Sequence, residues 1–410
     1  MNPHQPLPWL GHLSAQRFMR DFWQKRPLFV KGAFKQRFEQ SLPLDERGFR
    51  DLCAHPVLPI RLVRQSGAVL VHGPLRAREI PGARSRDWAI LIQQVQSAIP
   101  EADQFLSHFR FIPEARLEDL MVSLAGPEGG IGPHVDSYDV FLVQAAGSRD
   151  WSIAQDFDRR LVDDLPLRVL AHYQPEQVFR CEPGDLLYLP PNIAHHGVAT
   201  SAGCMTYSVG FRAPDPVDIA DEAVGMKLDA LEAVGWSDPW LRATRQPWEV
   251  PEAMMQSMVQ AAHQCLPSKA ELEASALRSL SRLHPGAHWP EPGALGLKAF
   301  QRRLLKASGG CCLALHPGTR VLHHRGKIAV NGELLDLEGL KASERRIMVQ
   351  CMQALSQDRV LSLPMGFWSQ RSQEWIQCLH GLYAVGVVLI LSKTTHTQRT
   401  KRAMIAFGTE

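Results

Sequence analysis

Two side chains that can bind a metal ion, His134 and Asp136, stand two positions apart in the sequence. On a β-strand, alternate residues point to the same face, so this imidazole and this carboxylate would face one ion together. Two histidines and one carboxylate bind ferrous iron in non-haem oxygenases and leave coordination positions open for O₂ and a co-substrate. We therefore expect a third ligand from another part of the chain.

The adjacent His195 and His196 are the candidates for this third ligand, 61 positions beyond His134 (195 − 134). They follow a Pro-Gly-Asp turn at 183–185 and an apolar run at 186–189, a pattern that predicts a strand returning to the first one. Neighbouring residues of a strand face opposite ways, so only one of the two histidines can point at the metal. The spacing leaves both possibilities open.

Short apolar segments with Gly, Pro and Asp at their ends surround these residues and predict antiparallel strands. A helix at 14–23 precedes them. A succession of short strands joined by such turns is typical of a barrel or a sandwich. The segments with the strongest strand pattern are Val140–Val143, Trp151–Ala154, Leu186–Leu189, Gly197–Thr200 and Cys204–Phe211.

After residue 213 the pattern becomes helical, with Met255 and Val259 on one face and Ser268 opening a capping box. A stretch rich in Pro and Gly at 284–293 predicts a linker. Beyond it, an Asn-Gly turn at 331–332 predicts a hairpin among amphipathic helices, an order that suits a winged helix. We therefore predict three domains, residues 1–213, 214–284 and 294–410.

The composition is that of an ordinary globular protein, with 45% hydrophobic and 21% charged residues among 410. A formal net charge of +3 is compatible with a nucleic-acid partner but does not establish one. The eight cysteines are scattered, which indicates a reduced environment. The N-terminal sequence has no signal-peptide pattern, and the longest apolar run, 384–391, is too short to span a bilayer. We expect a cytoplasmic protein without a membrane segment.

Several segments together resemble a known family, the ribosomal oxygenase branch of the JmjC hydroxylases, and in particular the bacterial ribosomal protein arginine hydroxylases. The segments are Phe109-Arg110-Phe111-Ile112-Pro113, Asp119-Leu120-Met121-Val122-Ser123, the metal segment as far as Phe141, and Tyr207-Ser208-Val209-Gly210-Phe211-Arg212-Ala213-Pro214. The resemblance spans residues 8 to about 214. It implies an α+β fold: a double-stranded β-helix, which is a JmjC or cupin-like jelly roll, followed by a helical dimerisation domain and a C-terminal winged-helix domain.

The resemblance also implies the residues of the site. In this family the third ligand is the histidine of a small-or-Pro, His, x, Gly motif, so His195 joins His134 and Asp136 on Fe(II). The co-substrates are 2-oxoglutarate and O₂. Arg149 lies fifteen positions beyond His134 (149 − 134), where these hydroxylases place a cation for the far carboxylate of 2-oxoglutarate. Further candidates for hydrogen bonds to this co-substrate are Ser123, Tyr207 and Ser208.

The implied substrate is an arginine of a large-subunit ribosomal protein, hydroxylated by a homodimer. Tyr138 and Asp139 follow the metal strand, where an aromatic ring and a carboxylate would suit a cationic guest. A basic C-terminal surface could also contact rRNA. Its residues are Lys393, Arg399, Lys401 and Arg402.

Two alternatives remain open at this point. The same chemistry could act on a histidine of a ribosomal protein or on a lysine of another protein. A protein of a different class, a metal-binding cupin without oxygenase activity, could be a regulator that binds DNA through its winged helix. Arg149 and the carboxylate ligand Asp136 favour the oxygenase.

Overall fold

The computed structural model describes residues 2–40, 42–82, 84–232, 235–287, 289, 293–306, 311–364 and 366–391. Their contacts divide the chain into two compact units. The first contains the chain up to Ala213, Leu283–Arg320 and the chain from Asp336 onward, and the second contains Pro214–Arg282 and Val321–Leu335. The segment 294–410, expected as one domain, thus contributes residues to both units.

Antiparallel strands and short helices fill the first unit as far as Phe211. The strands are β1 Leu28–Val30, β2 Ile60–Arg64, β3 Val69–His72, β4 Trp88–Ile92, β5 Leu117–Ala125, β6 His134–Val135, β7 Asp139–Ala146, β8 Arg149–Ala154, β9 Gln177–Cys181, β10 Leu186–Leu189, β11 Ala194–Ala199 and β12 Cys204–Phe211. The helices are α1 Ala15–Asp21, α2 Lys35–Gln40, α3 Glu46–Leu52, α4 Val95–Ala98 and α5 Pro100–Leu106. All five segments with the strongest strand pattern contribute to a strand.

In the described part of the chain, these strands form two sheets. The larger has the order β1-β10-β7-β12-β5-β4-β2-β3, and the smaller has the order β6-β11-β8-β9. Strands that follow each other in the sequence, such as β7 and β8 or β11 and β12, lie in different sheets. The chain therefore crosses repeatedly between the sheets, as in the expected jelly roll.

The two faces of the larger sheet have different surroundings. On one face, Phe141 and Tyr188 pack against Phe18 of α1 with ring centroids 5.4 and 4.9 Å apart, within the main hydrophobic core. On the other face, Leu142 belongs to a second apolar cluster with Trp151 of the smaller sheet. Because residues alternate along a strand, every second residue of β5, β7 and β12 is available to the space between the sheets.

The rest of the first unit contains α9 Leu297–Leu305, β13 Cys311–Leu315, α10 Ala342–Asp358, β17 Val360–Leu363, α11 Gln373–Ala384 and β18 Val388–Leu391. Strand β13 lies between β17 and β18 in an antiparallel sheet. Met348 and Leu355 of α10 and Trp375 of α11 are fully buried. The amphipathic helices expected in this region are therefore present.

The second unit contains α6 Pro216–Asp229, α7 Glu252–Gln264, α8 Lys269–Ser281, β14 Val321–His324, β15 Lys327–Val330 and β16 Glu333–Leu334. The expected hairpin forms, since β15 pairs with β16 around a turn whose Asn331 and Gly332 have φ of 53° and 95°. Ser268 and Glu271 form the expected capping box of α8. No side chain of α7 is buried. Across the described residues, no helix has both the length and the apolar character needed to cross a membrane.

Candidate metal centre

Three predicted metal ligands meet in the space between the two sheets. Strand β6 pairs with β11 so that His134 and His195 are register partners, and Asp136 follows β6 directly. The ligand atoms of these three residues lie within 4.8 Å of one another. The Nε2 atom of His195 is 3.6 Å from Oδ2 of Asp136, and the two imidazole centroids are 4.2 Å apart. This cluster has the donor set of a non-haem iron site.

The main chain orients both imidazoles. Nδ1 of His134 lies 3.0 Å from the carbonyl oxygen of Gly132, and Nδ1 of His195 lies 3.0 Å from that of Ile193. When Nδ1 carries the proton and donates it to a carbonyl, the lone pair of Nε2 is left for a metal. Gly132 has a φ of +86°, and a Cβ there would meet the carbonyl oxygen of Ser66 at 2.7 Å. A glycine is therefore required where the first imidazole is fixed.

Of the two adjacent histidines, His195 is the one that points at the cluster. It is 3% exposed, whereas His196 is half-buried on the other side of β11, with its ring 6.3 Å from that of Tyr173. Burial and the neighbouring His134 lower the pKa of His195 to about 4. The imidazole is therefore neutral at physiological pH, the form that binds a metal.

A cavity of about 160 Å³ extends from the three ligands. Arg149, at the start of β8, lines it and is 5% exposed. Its Nε and Nη2 atoms have no hydrogen-bond partner among the described residues, and its guanidinium lies 5.5 Å from the ring of Trp151. A buried cation with unpaired donors is unfavourable unless an anion pairs with it. The cavity thus offers a carboxylate site close to the metal ligands, so the residues present fit iron together with 2-oxoglutarate.

The three hydroxyl residues predicted to bind the co-substrate do not all reach the cavity. Ser123 of β5 and Ser208 of β12 line it. Tyr207 lies on the opposite face of β12, where its hydroxyl donates to the carbonyl oxygen of Leu44 at 2.5 Å and accepts from the Leu44 N–H at 3.0 Å. Because neighbouring strand residues face opposite ways, Ser208 and Tyr207 cannot both face the cavity. The expected role of Tyr207 is therefore corrected to a structural one.

The two predicted substrate residues also differ in position. Tyr138 lines the cavity and is 38% exposed. Asp139 is fully buried, and its carboxylate accepts hydrogen bonds from Tyr188 at 2.6 Å, Gln24 at 2.9 Å and Arg116 at 3.3 Å. These three donors hold the carboxylate away from the cavity. The expected substrate contact of Asp139 is therefore corrected to a structural role.

The sequence analysis missed two cavity carboxylates, Glu118 and Asp119 at the start of β5. Asp119 is 5% exposed, and its carboxylate accepts a hydrogen bond from the main chain of Gln94 at 3.0 Å. Burial raises the pKa of Asp119 to about 6. Glu118 pairs with Arg212 at 2.6 Å. The sequence did offer a signal for Asp119. It stands at every-second-residue spacing with Met121 and Ser123, so the three residues share the face of β5 that lines the cavity.

A glycine opens space between one of these carboxylates and an aromatic ring. A Cβ on Gly210 of β12 would lie 3.5 Å from Oδ1 of Asp119 and 3.9 Å from Cε2 of Tyr138. Gly210 also lines the cavity, so the carboxylate and the ring lie near the same stretch of cavity wall, which carries no side chain at this position. This geometry suits a planar cation, which can pair with the one and stack on the other.

Comparisons with known proteins agree with this geometry. Residues 104–219 match the protein family described as JmjC domain. The chain is 35% identical over 244 residues to the ribosomal protein uL16 3-hydroxylase of Escherichia coli strain K12, a match that covers 58% of this chain and 63% of the relative. It is 32% identical over 223 residues to a probable ribosomal oxygenase of Haemophilus influenzae, which covers 51% of this chain and 52% of the relative. Both matches thus span less than two thirds of the relative.

Solved structures match over a longer stretch. The X-ray structure of E. coli YcfD superposes with a TM-score of 0.74 at 25% identity and covers 92% of this chain and 98% of that chain. A structure of YcfD, described as a ribosomal oxygenase in complex with cobalt and 2-oxoglutarate, has a TM-score of 0.72 at 25% identity. It covers 92% of this chain and 97% of that chain. Residues 104–219 thus resemble a JmjC domain in both sequence and fold. The resemblance to the JmjC ribosomal oxygenases that the sequence indicated is confirmed.

Proposed function

We propose that the protein is an Fe(II)- and 2-oxoglutarate-dependent hydroxylase that acts on an arginine of a large-subunit ribosomal protein. The observation that carries this proposal is the buried guanidinium of Arg149, whose Nε and Nη2 atoms have no partner within the described part of the chain, in the same cavity as His134, Asp136 and His195. A metal site alone would suit many proteins. A metal site with an anion receptor beside it suits a co-substrate with two carboxylates.

When bound, iron and 2-oxoglutarate would supply an oxidative decarboxylation with O₂ as the oxidant: one oxygen atom enters succinate as CO₂ leaves, and the other is inserted into a C–H bond of the substrate. The protein contributes position and charge. His134, Asp136 and His195 would hold the ion, and Arg149 would pair with the carboxylate at the far end of the co-substrate. Ser123 and Ser208, which line the cavity, are the nearest candidates for further hydrogen bonds to it.

One carboxylate of the cavity supports a cationic substrate. Arg149 and Arg212 also line the cavity, and Arg212 pairs with Glu118, but Asp119 on the β5 side offers a carboxylate in the same cavity as the ring of Tyr138. A guanidinium can pair with a carboxylate through two parallel hydrogen bonds and stack on an aromatic ring, which a neutral histidine cannot do in the same way. The E. coli relative is described as acting on ribosomal protein uL16, and we propose the same protein as the substrate here.

We further propose that the chain works as a cytoplasmic homodimer. The helices of the second unit support this, since Met255, Met258 and Val259 of α7 are each nearly half exposed. An apolar helix face of this kind is typical of an interface. We also propose three domains, with the limits 1–213, 214–284 and 294–410. We propose that the last of them is a winged helix and that its basic residues contact rRNA. The basic residues Lys393, Arg399, Lys401 and Arg402 lie outside the described residues.

The proposal is tested by incubating the full-length protein with Fe(II), 2-oxoglutarate, O₂ and purified uL16. We expect succinate release and a mass increase of one oxygen atom on one arginine of uL16, located by fragmentation. Omitting 2-oxoglutarate, or replacing the protein by His134→Ala, should abolish both signals. An oxygen atom on a histidine or a lysine would support the alternative targets. Intact masses that stay unchanged for uL16 and all other ribosomal proteins would overturn the assignment.

A further inference from the structure

The first residues of β5, which carry the two cavity carboxylates, pair with β12 and are also contacted by side chains from distant parts of the chain. Strand β4 pairs with β5 only from Val122 to Ala125. Before that point, the N–H of Leu120 donates to the side chain of Gln96 at 3.0 Å. The guanidinium of Arg320 donates through Nη2 to the carbonyl oxygens of Leu117 at 2.6 Å and Glu118 at 3.1 Å. The second of these carbonyl oxygens belongs to Glu118, which lines the cavity.

Arg320 reaches β5 from 203 positions further along the chain, and it is only 7% exposed. The turn that precedes it is fixed by another arginine. Arg359 donates to the carbonyl oxygens of His316 at 3.2 Å, Pro317 at 2.5 Å and Thr319 at 2.9 Å. Arg359 also pairs with Asp103 at 3.2 Å. The side chain of Arg320 is therefore presented to β5 by a rigid turn.

The charges around this contact are coupled. Burial and the neighbouring Arg212 lower the pKa of Arg320 to about 10, so Arg320 stays cationic at neutral pH. Burial raises the pKa of Asp119, whereas the nearby Arg320 and Arg61 favour its ionised form. Arg320 thus holds the main chain beneath two carboxylates and also stabilises their charge.

We propose that Arg320 is a positioning residue for the recognition of a cationic substrate side chain, acting through Glu118 and Asp119. The inference rests on the proposed function and adds that the C-terminal part of the chain belongs to the substrate site. The hydrogen bonds of Arg320 to β5 end on the carbonyl oxygens of Leu117 and Glu118, away from the metal ligands and from Arg149 in the sequence of the strands. Its loss should therefore weaken recognition of a cationic side chain and leave the binding of 2-oxoglutarate unchanged.

The test measures binding without turnover. The full-length protein is loaded with Fe(II) and 2-oxoglutarate in the absence of O₂ and titrated with an arginine peptide of uL16 or with the same peptide carrying citrulline. Citrulline keeps the shape of arginine and lacks its charge. We expect Arg320→Met to weaken binding of the arginine peptide about tenfold and binding of the citrulline peptide less than about twofold. The matched control, Arg346→Met, replaces an exposed arginine of α10 and should change neither value.

A lysine variant keeps the inference testable if Arg320→Met does not fold. Arg320→Lys keeps the charge but cannot reproduce the contacts of a guanidinium, so we expect a loss of about threefold that is again confined to the arginine peptide. Equal losses for the two peptides, or no loss in either variant, would overturn the inference. A wild-type protein that does not distinguish the peptides would overturn it as well. Failure of the proposed function would appear separately, as a wild-type protein that shows this discrimination but does not hydroxylate uL16 in the presence of O₂.

Discussion

The two ends of the cavity are built in different ways. At the metal end, each imidazole is fixed by a carbonyl two residues earlier in the chain, through Gly132 and Ile193. At the carboxylate end, Glu118 and Asp119 depend on Gln94 and Arg320, which are 25 and more than 200 positions away. The orientation of the two imidazoles is thus set within two short segments, whereas the placement of the two carboxylates depends on contacts between distant parts of the first unit.

The largest expected effect separates the two adjacent histidines at the metal end. His195→Ala removes a ligand, and we expect turnover to fall by at least about 100-fold with loss of bound iron. His196→Ala removes a half-buried ring on the other side of β11 and should leave turnover within about twofold. Iron content by elemental analysis and succinate release measure the difference. Equal losses in both variants would contradict the assignment of His195.

Arg149→Met should weaken the binding of the co-substrate and leave the binding of the substrate peptide unchanged. Charge-assisted hydrogen bonds contribute roughly 1.5–3 kcal/mol, so we expect the KM for 2-oxoglutarate to rise about 10- to 100-fold. The affinity for an arginine peptide should stay unchanged. Arg180→Met, on the exposed side of the neighbouring β9, is the matched control. A KM for 2-oxoglutarate that equals the wild-type value would remove Arg149 from the site.

Asp119→Asn should remove a pH dependence from the carboxylate end. Because the pKa of Asp119 is about 6, we expect the wild-type KM for an arginine peptide to rise as the pH falls through 6, and the variant KM to be high and flat. The free energy of unfolding of the wild type should change in the opposite direction, because protonated Asp119 stabilises the folded state at low pH. The folded state holds a proton on Asp119 that the unfolded chain has lost, so this stabilisation decreases as pH rises from about 4 through 6.

Thermal unfolding tests that second trend. The Tm of Asp119→Asn relative to the wild type should increase between pH 4.5 and pH 7, because the variant no longer buries a charge at the higher pH. A Tm difference that is constant over this range would show that Asp119 titrates normally.

The smallest effect distinguishes two neighbours on β12. Ser208→Ala alters the cavity wall, and we expect a severalfold rise of the KM for 2-oxoglutarate. Tyr207→Phe removes the hydroxyl that contacts Leu44, so we expect a loss of about 1 kcal/mol in the free energy of unfolding and no change in KM. Chemical denaturation and steady-state kinetics measure the two. A change of the KM for 2-oxoglutarate in Tyr207→Phe would instead place the Tyr207 hydroxyl in the co-substrate site.

The difference between the two ends also explains what could be predicted from the sequence. The spacing of His134 and Asp136 was sufficient because alternation along a strand is a local rule. Choosing His195 over His196, and assigning Arg149, required the resemblance to a family. Tyr207 was misassigned because the facing of β12 is set by its pairing with β5 and β7, which a single strand does not reveal. Arg320 lies too far along the sequence for any spacing rule to connect it with Glu118.

The position of Trp151 has a practical consequence. Its indole centroid lies 5.9 Å from the ring of His195, and the guanidinium of Arg149 lies 5.5 Å from it on the same strand. A cation on the histidine and a carboxylate on the arginine would both alter the surroundings of this one fluorophore. Although the chain contains ten tryptophans, the emission difference between the wild type and Trp151→Phe isolates its signal. We expect this difference in emission to change when the metal is added and to change again when 2-oxoglutarate is added, so that Trp151 would report on each loading step.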